Sequence, residues 1–196
     1  MEENKMNNFQ LICIGGSAGS LQVILKILQH IKPGFPFSIL LVIHRNMYAE
    51  SALDELLSLR LNLQVKEIED KDAIRAGFIH VCPADYHVLV EKNFTLSLDY
   101  SEKVHYSRPS IDVAFKSAAD AYRKNVLAIL LSGANADGAD GLAHIYRLGG
   151  ITMVQSPTDA DVSYMPEQAL KKTKAHYVLT ANEIEAFLLH LASDIV

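Results

Sequence analysis

Three short stretches of this chain each place a reactive side chain directly behind an apolar run. They are Ile14-Gly15-Gly16-Ser17-Ala18-Gly19-Ser20, Leu41-Val42-Ile43-His44 and Leu130-Leu131-Ser132-Gly133-Ala134-Asn135-Ala136-Asp137-Gly138. A hydroxyl, an imidazole and a carboxylate are what a nucleophile, its general base and the base's orienting group require. Each apolar run reads as a buried parallel strand. The carboxyl ends of such strands share one edge of an open α/β sheet, where ligands bind. Residues far apart in sequence can meet there.

Gly15-Gly16-Ser17-Ala18-Gly19 fits the small-x-Ser-x-small pattern of a nucleophile elbow, in which a sharp strand-to-helix turn exposes the serine oxygen and glycines permit a strained backbone. The helix behind it aims free N–H groups at the same point, favourable to an oxyanion. A Gly-rich phosphate loop is the competing reading. Against it, Ser17 stands where a dinucleotide fingerprint has its second glycine, the lysine of a triphosphate loop is missing, and His44-Arg45 rather than an acidic residue ends the second strand. His44 follows the strand next in sequence to that of Ser17, and sequential strands are often spatial neighbours. Asp137 also suits capping of a helix starting near Ala139, a role compatible with orienting a histidine. Asp140 competes with it, but falls inside that helix start.

Strand and helix alternate around these stretches. Strands are expected at Phe9–Ile14, Phe37–Ile43, Leu63–Ile68, Gly77–Pro83, Val126–Leu131, Ile151–Val154 and Tyr177–Leu179. Gly15–Gly19 is expected as a turn. Helices are expected at Ser20–Ile31, Glu50–Leu61, Pro109–Ala121 with Pro109 in the first turn, Ala139–Leu148, Pro166–Thr173 and Ala181–Ser193. Tyr86–Glu91 and Phe94–Tyr100 alternate about Lys92-Asn93, the pattern of a β-hairpin. The fold class is therefore α/β: a three-layer α/β/α arrangement with a mainly parallel, doubly wound sheet and a β-hairpin insertion. The expected organisation is a single domain over residues 1–196, with its core at about 9–180.

Composition removes several function classes. A net charge of −5 opposes a nucleic-acid surface, which needs clustered Lys and Arg. No apolar run approaches the roughly 18 residues of a membrane span, and the polar start carries no secretory signal, so no membrane insertion and a cytoplasmic setting are expected. Cys13 and Cys82 lie in apolar runs and read as buried hydrophobes. His80, His87, His105 and His144 show no metal-ligand spacing and read as structural or surface residues.

Together the motifs resemble the catalytic domain of the chemotaxis protein-glutamate methylesterases, the CheB type. The resemblance extends through Pro83-Ala84-Asp85-Tyr86-His87-Val88-Leu89, His105-Tyr106-Ser107-Arg108-Pro109-Ser110-Ile111-Asp112, Gln155-Ser156-Pro157 and Met165-Pro166. It implies Ser17 as nucleophile, His44 as base and Asp137 as carboxylate. It also implies hydrolysis of glutamate methyl esters on the cytoplasmic helices of chemoreceptor-like proteins, with glutamine deamidation as a second activity. No metal or organic cofactor is implied. Backbone N–H groups near Ala18 and Ala134 are the candidate oxyanion donors, and Arg108 a candidate substrate contact; its plainer reading is a solvated residue ahead of a capped helix. The chain departs from the family pattern at Ala18-Gly19-Ser20, at Arg45-Asn46-Met47, and at Ala134-Asn135, which replaces a Met-Gly pair. The family's receiver domain has no counterpart here, so the expectation is a standalone domain controlled, if at all, by a separate regulatory protein. A nucleotide- or phosphate-binding module and a non-catalytic regulatory domain of the same fold are the alternatives.

Overall fold

The computed structural model describes residues 10–45 and 53–193. Its strands are β1 (Leu11–Gly16), β2 (Ser38–Ile43), β3 (Gln64–Glu67), β4 (Asp72–Ala73), β5 (Phe78–Val81), β6 (His87–Val90), β7 (Thr95–Asp99), β8 (Val126–Leu130), β9 (Ile151–Gln155) and β10 (Tyr177–Leu179). Its helices are α1 (Ser20–Leu28), α2 (Leu53–Arg60), α3 (Ile111–Tyr122), α4 (Ala139–Arg147), α5 (Tyr164–Lys172) and α6 (Ala181–Ser193).

Seven strands form one sheet in the order β10-β9-β8-β1-β2-β5-β3, with every pairing parallel. All residues of β1, β2, β8 and β9 are buried, as expected of strands covered on both faces. Alternate side chains feed two cores. Ile12, Ile14, Ile39, Leu41, Leu127 and Ile129 pack under α1, α2 and α6. Leu11, Cys13, Leu40, Val42, Ala128 and Leu130 pack under α3, α4 and α5. The chain moves from β1 towards β2 on one side and from β8 towards β9 on the other, so the strand order reverses between β1 and β8. This is the switch point at which open α/β sheets place their ligand-binding crevice, outside the strands' carboxyl ends.

The three-layer, mainly parallel architecture matches the sequence reading, with local corrections. β1 runs through Gly16, so the turn begins later than expected, and α1 ends at Leu28. β6 and β7 form the hairpin, and the two-residue β4 adds a third antiparallel strand, too short to leave a periodic pattern. The third helix starts at Ile111 with Ser110 as its N-cap, so Pro109 lies ahead of it. Phe9 and residues 50–52 of the expected second helix lie outside the described residues.

The layer carrying α3 lies unusually close to the sheet. A Cβ at Gly15 would fall 2.5 Å from Ile111 Cγ2 and 3.1 Å from Phe115 Cζ. A Cβ at Gly141 would fall 2.6 Å from Phe115 Cβ, so two glycines admit α3 between β1 and α4. Gly15→Ala is therefore expected to destabilise the fold by roughly 1–3 kcal/mol through overpacking. Urea unfolding should show a lower midpoint at unchanged slope; an unchanged midpoint would show that α3 yields freely.

Candidate active site

Parallel register brings the first two motifs side by side. Gly16 pairs with Ile43, and the His44 N–H donates to the Gly16 carbonyl at 3.2 Å. On the other flank the Ser17 N–H donates to the Ser132 carbonyl at 2.9 Å. Ser17 thus stands between the ends of β2 and β8. Ser132 ties the loops together, its hydroxyl donating to the Ala18 carbonyl at 2.7 Å and accepting from the Val162 N–H at 2.9 Å. The turn after β1 differs from the expected strained elbow. Its left-handed residue is Gly19, with φ of 79°, and Ser17 is not among the residues with positive φ.

His44 Nε2 lies 2.8 Å from Asp137 Oδ2, joining two of the three sequence-chosen residues directly. Neighbouring Arg45 pairs with Glu67 at 2.9 Å and also donates to the Cys82 carbonyl, pinning the end of β2 against β3 and β5. Asp137 does not cap α4; Gly138 holds that place with φ of 94°. The Asp137 carboxylate caps α3 instead. Its Oδ2 accepts from the Ile111 N–H at 2.6 Å, and its Oδ1 from the Asp112 N–H at 3.0 Å and the Ser110 hydroxyl at 2.8 Å. The Gly138 N–H adds a bond to Oδ1 at 3.1 Å. A negative charge at a helix N-terminus is doubly favoured, by free N–H groups and by the macrodipole.

Burial pushes the Asp137 carboxyl up, but the His44 hydrogen bond and the N–H bonds from Asp112 and Ile111 outweigh it and hold the group below the ordinary carboxylate range. Asp112 goes the other way: burial raises it, and the Asp137 charge adds to the rise against a bond from the Gly141 N–H. Its Oδ2 lies 3.2 Å from His105 Nε2. His105, Asp112 and Asp137 bring potential ligand atoms within 4.8 Å of one another, though no sequence spacing announces it. Both Asp137 oxygens are already occupied by donors, so the trio is a charge cluster poorly suited to a metal ion.

The other face of His44 carries the surprise. Nδ1 lies 3.3 Å from Ser107 Oγ and 3.5 Å from Asn135 Nδ2. Among the described residues no hydrogen bond joins it to Ser17. In the sequence Ser107 stands out only as part of a family-like segment, and Asn135 only as a departure from a family pattern. Their approach depends on a loop fold that has no periodicity to read. Val104 and Ser107 exchange backbone hydrogen bonds at 3.2 and 2.9 Å around His105 and Tyr106, whose φ values of 49° and 62° make a type I′ turn from two non-glycine residues.

Arg108 is engaged inside the protein. Its guanidinium donates to Asp85 at 2.6 and 3.1 Å and to the Tyr100 and Ser101 carbonyls at 3.0 and 2.7 Å, and it stacks over the Tyr100 ring. These bonds fasten the loop that carries Ser107, and leave little of the guanidinium for a substrate. Ala18 and Ala134 are exposed, and among the described residues neither backbone N–H donates a hydrogen bond. His87, buried, receives the Ser110 N–H and bonds the Glu102 carbonyl, a structural role. Burial pushes both thiols, Cys13 and Cys82, well up, which suits inert core residues. Among the described residues no helix is long and apolar enough to cross a membrane.

A family model described as CheB methylesterase matches residues 12–188. A Leptospira interrogans protein provisionally named protein-glutamate methylesterase/protein-glutamine glutaminase is 36% identical over 184 residues, covering 94% of this chain and 95% of its own. A Shewanella protein named protein-glutamate methylesterase/protein-glutamine glutaminase 2 is 34% identical over 194 residues, covering 97% of this chain and 55% of its own; the chain spans about half of that relative. The crystal structure of the Thermotoga maritima CheB methylesterase catalytic domain superposes with a TM-score of 0.87 at 28% identity, covering 93% of this chain and 98% of that one.

The sign of the Asp137 shift sets a pH test. A carboxyl held low stabilises the fold fully above its unfolded pKa of about 3.9 and loses that contribution as pH falls through the folded value. Asp137→Asn places an amide among five donors and should cost roughly 3 kcal/mol at neutral pH. The gap between variant and wild type in urea unfolding should narrow below about pH 4. A gap that stays constant into strong acid would assign the loss to shape rather than charge.

Proposed function

Because the chain belongs to the CheB methylesterase family, we propose that Ser17, His44 and Asp137 are the machinery with which it hydrolyses glutamate methyl esters. The His44–Asp137 pair, set beside Ser17 at the strand ends that flank the crevice, is the observation that carries this assignment. Family membership favours hydrolysis over a nucleotide-binding loop or a non-catalytic domain.

Asp137 is ionised and accepts from Nε2, so the neutral imidazole keeps its proton there and presents a lone pair at Nδ1. That lone pair takes the Ser17 proton as Oγ attacks the ester carbonyl. The tetrahedral oxyanion collapses, the carbonyl–methoxy bond breaks, and the imidazolium gives its proton to the departing oxygen to release methanol. Water then attacks the acyl-serine with His44 again as base, freeing the glutamate carboxylate and restoring Ser17. Asp137 stabilises each imidazolium without itself taking a proton. The free N–H groups of Ala18 and Ala134 are the oxyanion donors in this proposal. Glutamine would follow the same path with ammonia leaving. The substrate proteins are methylated chemoreceptor-like proteins, whose cytoplasmic helices must reach the strand-end face. A separate regulatory protein would act on that same face, and the setting is cytoplasmic.

Ser17→Ala should lower turnover of a methyl-esterified receptor fragment by several orders of magnitude while unfolding as wild type does. A fluorophosphonate probe should label Ser17 in the wild-type protein. Near-normal turnover in a folded Ser17→Ala variant would remove Ser17 from the mechanism. For wild type, kcat/KM should rise with pH as the imidazole loses its proton and then level off. With Asp137 held low, no second limb from that carboxyl should appear above about pH 4. A flat profile from about pH 5 to 9 with chemistry rate-limiting would exclude a histidine base.

A further inference from the structure

We propose that Ser107 and Asn135 are positioning residues for the base, forming a donor relay that aims His44 Nδ1 at the nucleophile. The relay can be followed atom by atom. The Asp137 N–H donates to Asn135 Oδ1 at 3.1 Å, which fixes the amide with its nitrogen turned away. Asn135 Nδ2 then donates to Ser107 Oγ at 3.3 Å. Two acceptors lie within reach of the Ser107 hydroxyl proton, and His44 Nδ1 at 3.3 Å is nearer than the His105 carbonyl at 3.5 Å. His44 returns the sequence to its origin by donating from Nε2 to Asp137 Oδ2 at 2.8 Å. The ring of bonds begins at the backbone of Asp137 and closes on its carboxylate.

The chemistry of each member suits its place. A serine hydroxyl both donates and accepts. It can donate to the neutral Nδ1 and, once Nδ1 has taken the proton of Ser17, rotate to accept from the imidazolium. Asn135 Nδ2 only donates, so it supports the resting tautomer and not the charged ring. The bonds at 3.3–3.5 Å are longer than the usual range and correspondingly weak. Nδ1 can therefore be surrendered to Ser17 at little cost. Ser107 is held in reach by the His105-Tyr106 turn, in which two non-glycine residues keep left-handed backbone at roughly 1 kcal/mol or more each. Asn135 stands where the family pattern has a glycine, so this arm of the relay is a device of this chain.

This inference rests on His44 serving as base to Ser17, and its test separates the two. Ser107→Ala should lower kcat about tenfold to a hundredfold with KM little changed, because the ring loses aim rather than substrate contacts. Asp137 and the Asp112–His105 pair, the charged groups grouped at this site, remain in place in that variant. Ser107→Thr should restore most of kcat. Independently of turnover, side-chain 15N NMR of the neutral imidazole should show the His44 Nδ1 resonance moving downfield in Ser107→Ala, towards an unbonded nitrogen. A folded Ser107→Ala with wild-type kcat, or with an unmoved Nδ1 resonance, overturns the relay while leaving the Ser17 reading intact. A fluorophosphonate adduct mapped to Ser107 instead of Ser17 overturns both. Should Ser107→Ala fail to fold, Asn135→Ala carries the test on the same resonance: a downfield shift supports the relay, and no change rejects it.

Discussion

The carboxylate of Asp137 lies at 0% exposure at the N-terminus of α3, and the geometry around it depends on that placement. An unpaired charge there would be prohibitively costly. Here backbone N–H groups from the first residues of α3, the Ser110 hydroxyl and the Gly138 N–H satisfy one oxygen or the other, and His44 completes the set. The helix needs an anion at its end, and the imidazole needs an acceptor of fixed direction. One carboxylate meets both needs, so the orientation of His44 is inherited from the docking of a whole helix. The low-lying carboxyl and the raised Asp112 beside it follow from the same crowding: the donors stabilise the first charge, and the second must form against it with burial already opposing it.

That coupling explains why the packing of α3 matters to chemistry at the sheet edge. Ile111 donates its N–H to Asp137 and presses its side chain onto Gly15, two residues before Ser17. Phe115, one turn on, sits where Cβ atoms at Gly15 or Gly141 would fall. The helix that holds the carboxylate is thus seated directly on the strand that carries the hydroxyl. A displacement of α3 would disturb its bonds to Asp137, and the dense core beneath Phe115 makes such displacement expensive.

Much of this was legible in the sequence because it is carried by periodic, apolar segments. The runs at residues 11–16, 38–43 and 126–130 could hardly be anything but central strands, and placing Ser17, His44 and Asp137 behind them required only the rule for strand ends. What escaped lies in loops, where no period exists. Asp137 was read as a cap for α4, the helix that follows it in sequence, whereas it caps α3, which precedes it in the chain and meets it only in space. Arg108 was a candidate through the family resemblance, and its pairing with Asp85 could not be read from a sequence separation of 23 residues. Ser107 and His105 owe their positions to a left-handed turn that Tyr106 and His105 give no hint of, since such turns usually announce themselves with glycine or asparagine.

The two faces of the imidazole are therefore built on different principles. On the Nε2 side, one bond of 2.8 Å joins the ring to a buried carboxylate that four other donors hold at 2.6–3.1 Å; that side is part of the core. On the Nδ1 side, long bonds to a serine on a surface turn hold the ring only loosely. A base must satisfy both conditions. It needs one nitrogen whose proton never moves, so that the tautomer is certain, and one whose partner can change as the proton arrives and leaves. Putting the rigid contact on a helix terminus and the exchangeable one on a loop achieves this without a mobile domain. The same turn carries Tyr106, fully exposed next to Ser107. The flank of His44 whose contacts can rearrange is thus the loop side, away from the helix terminus.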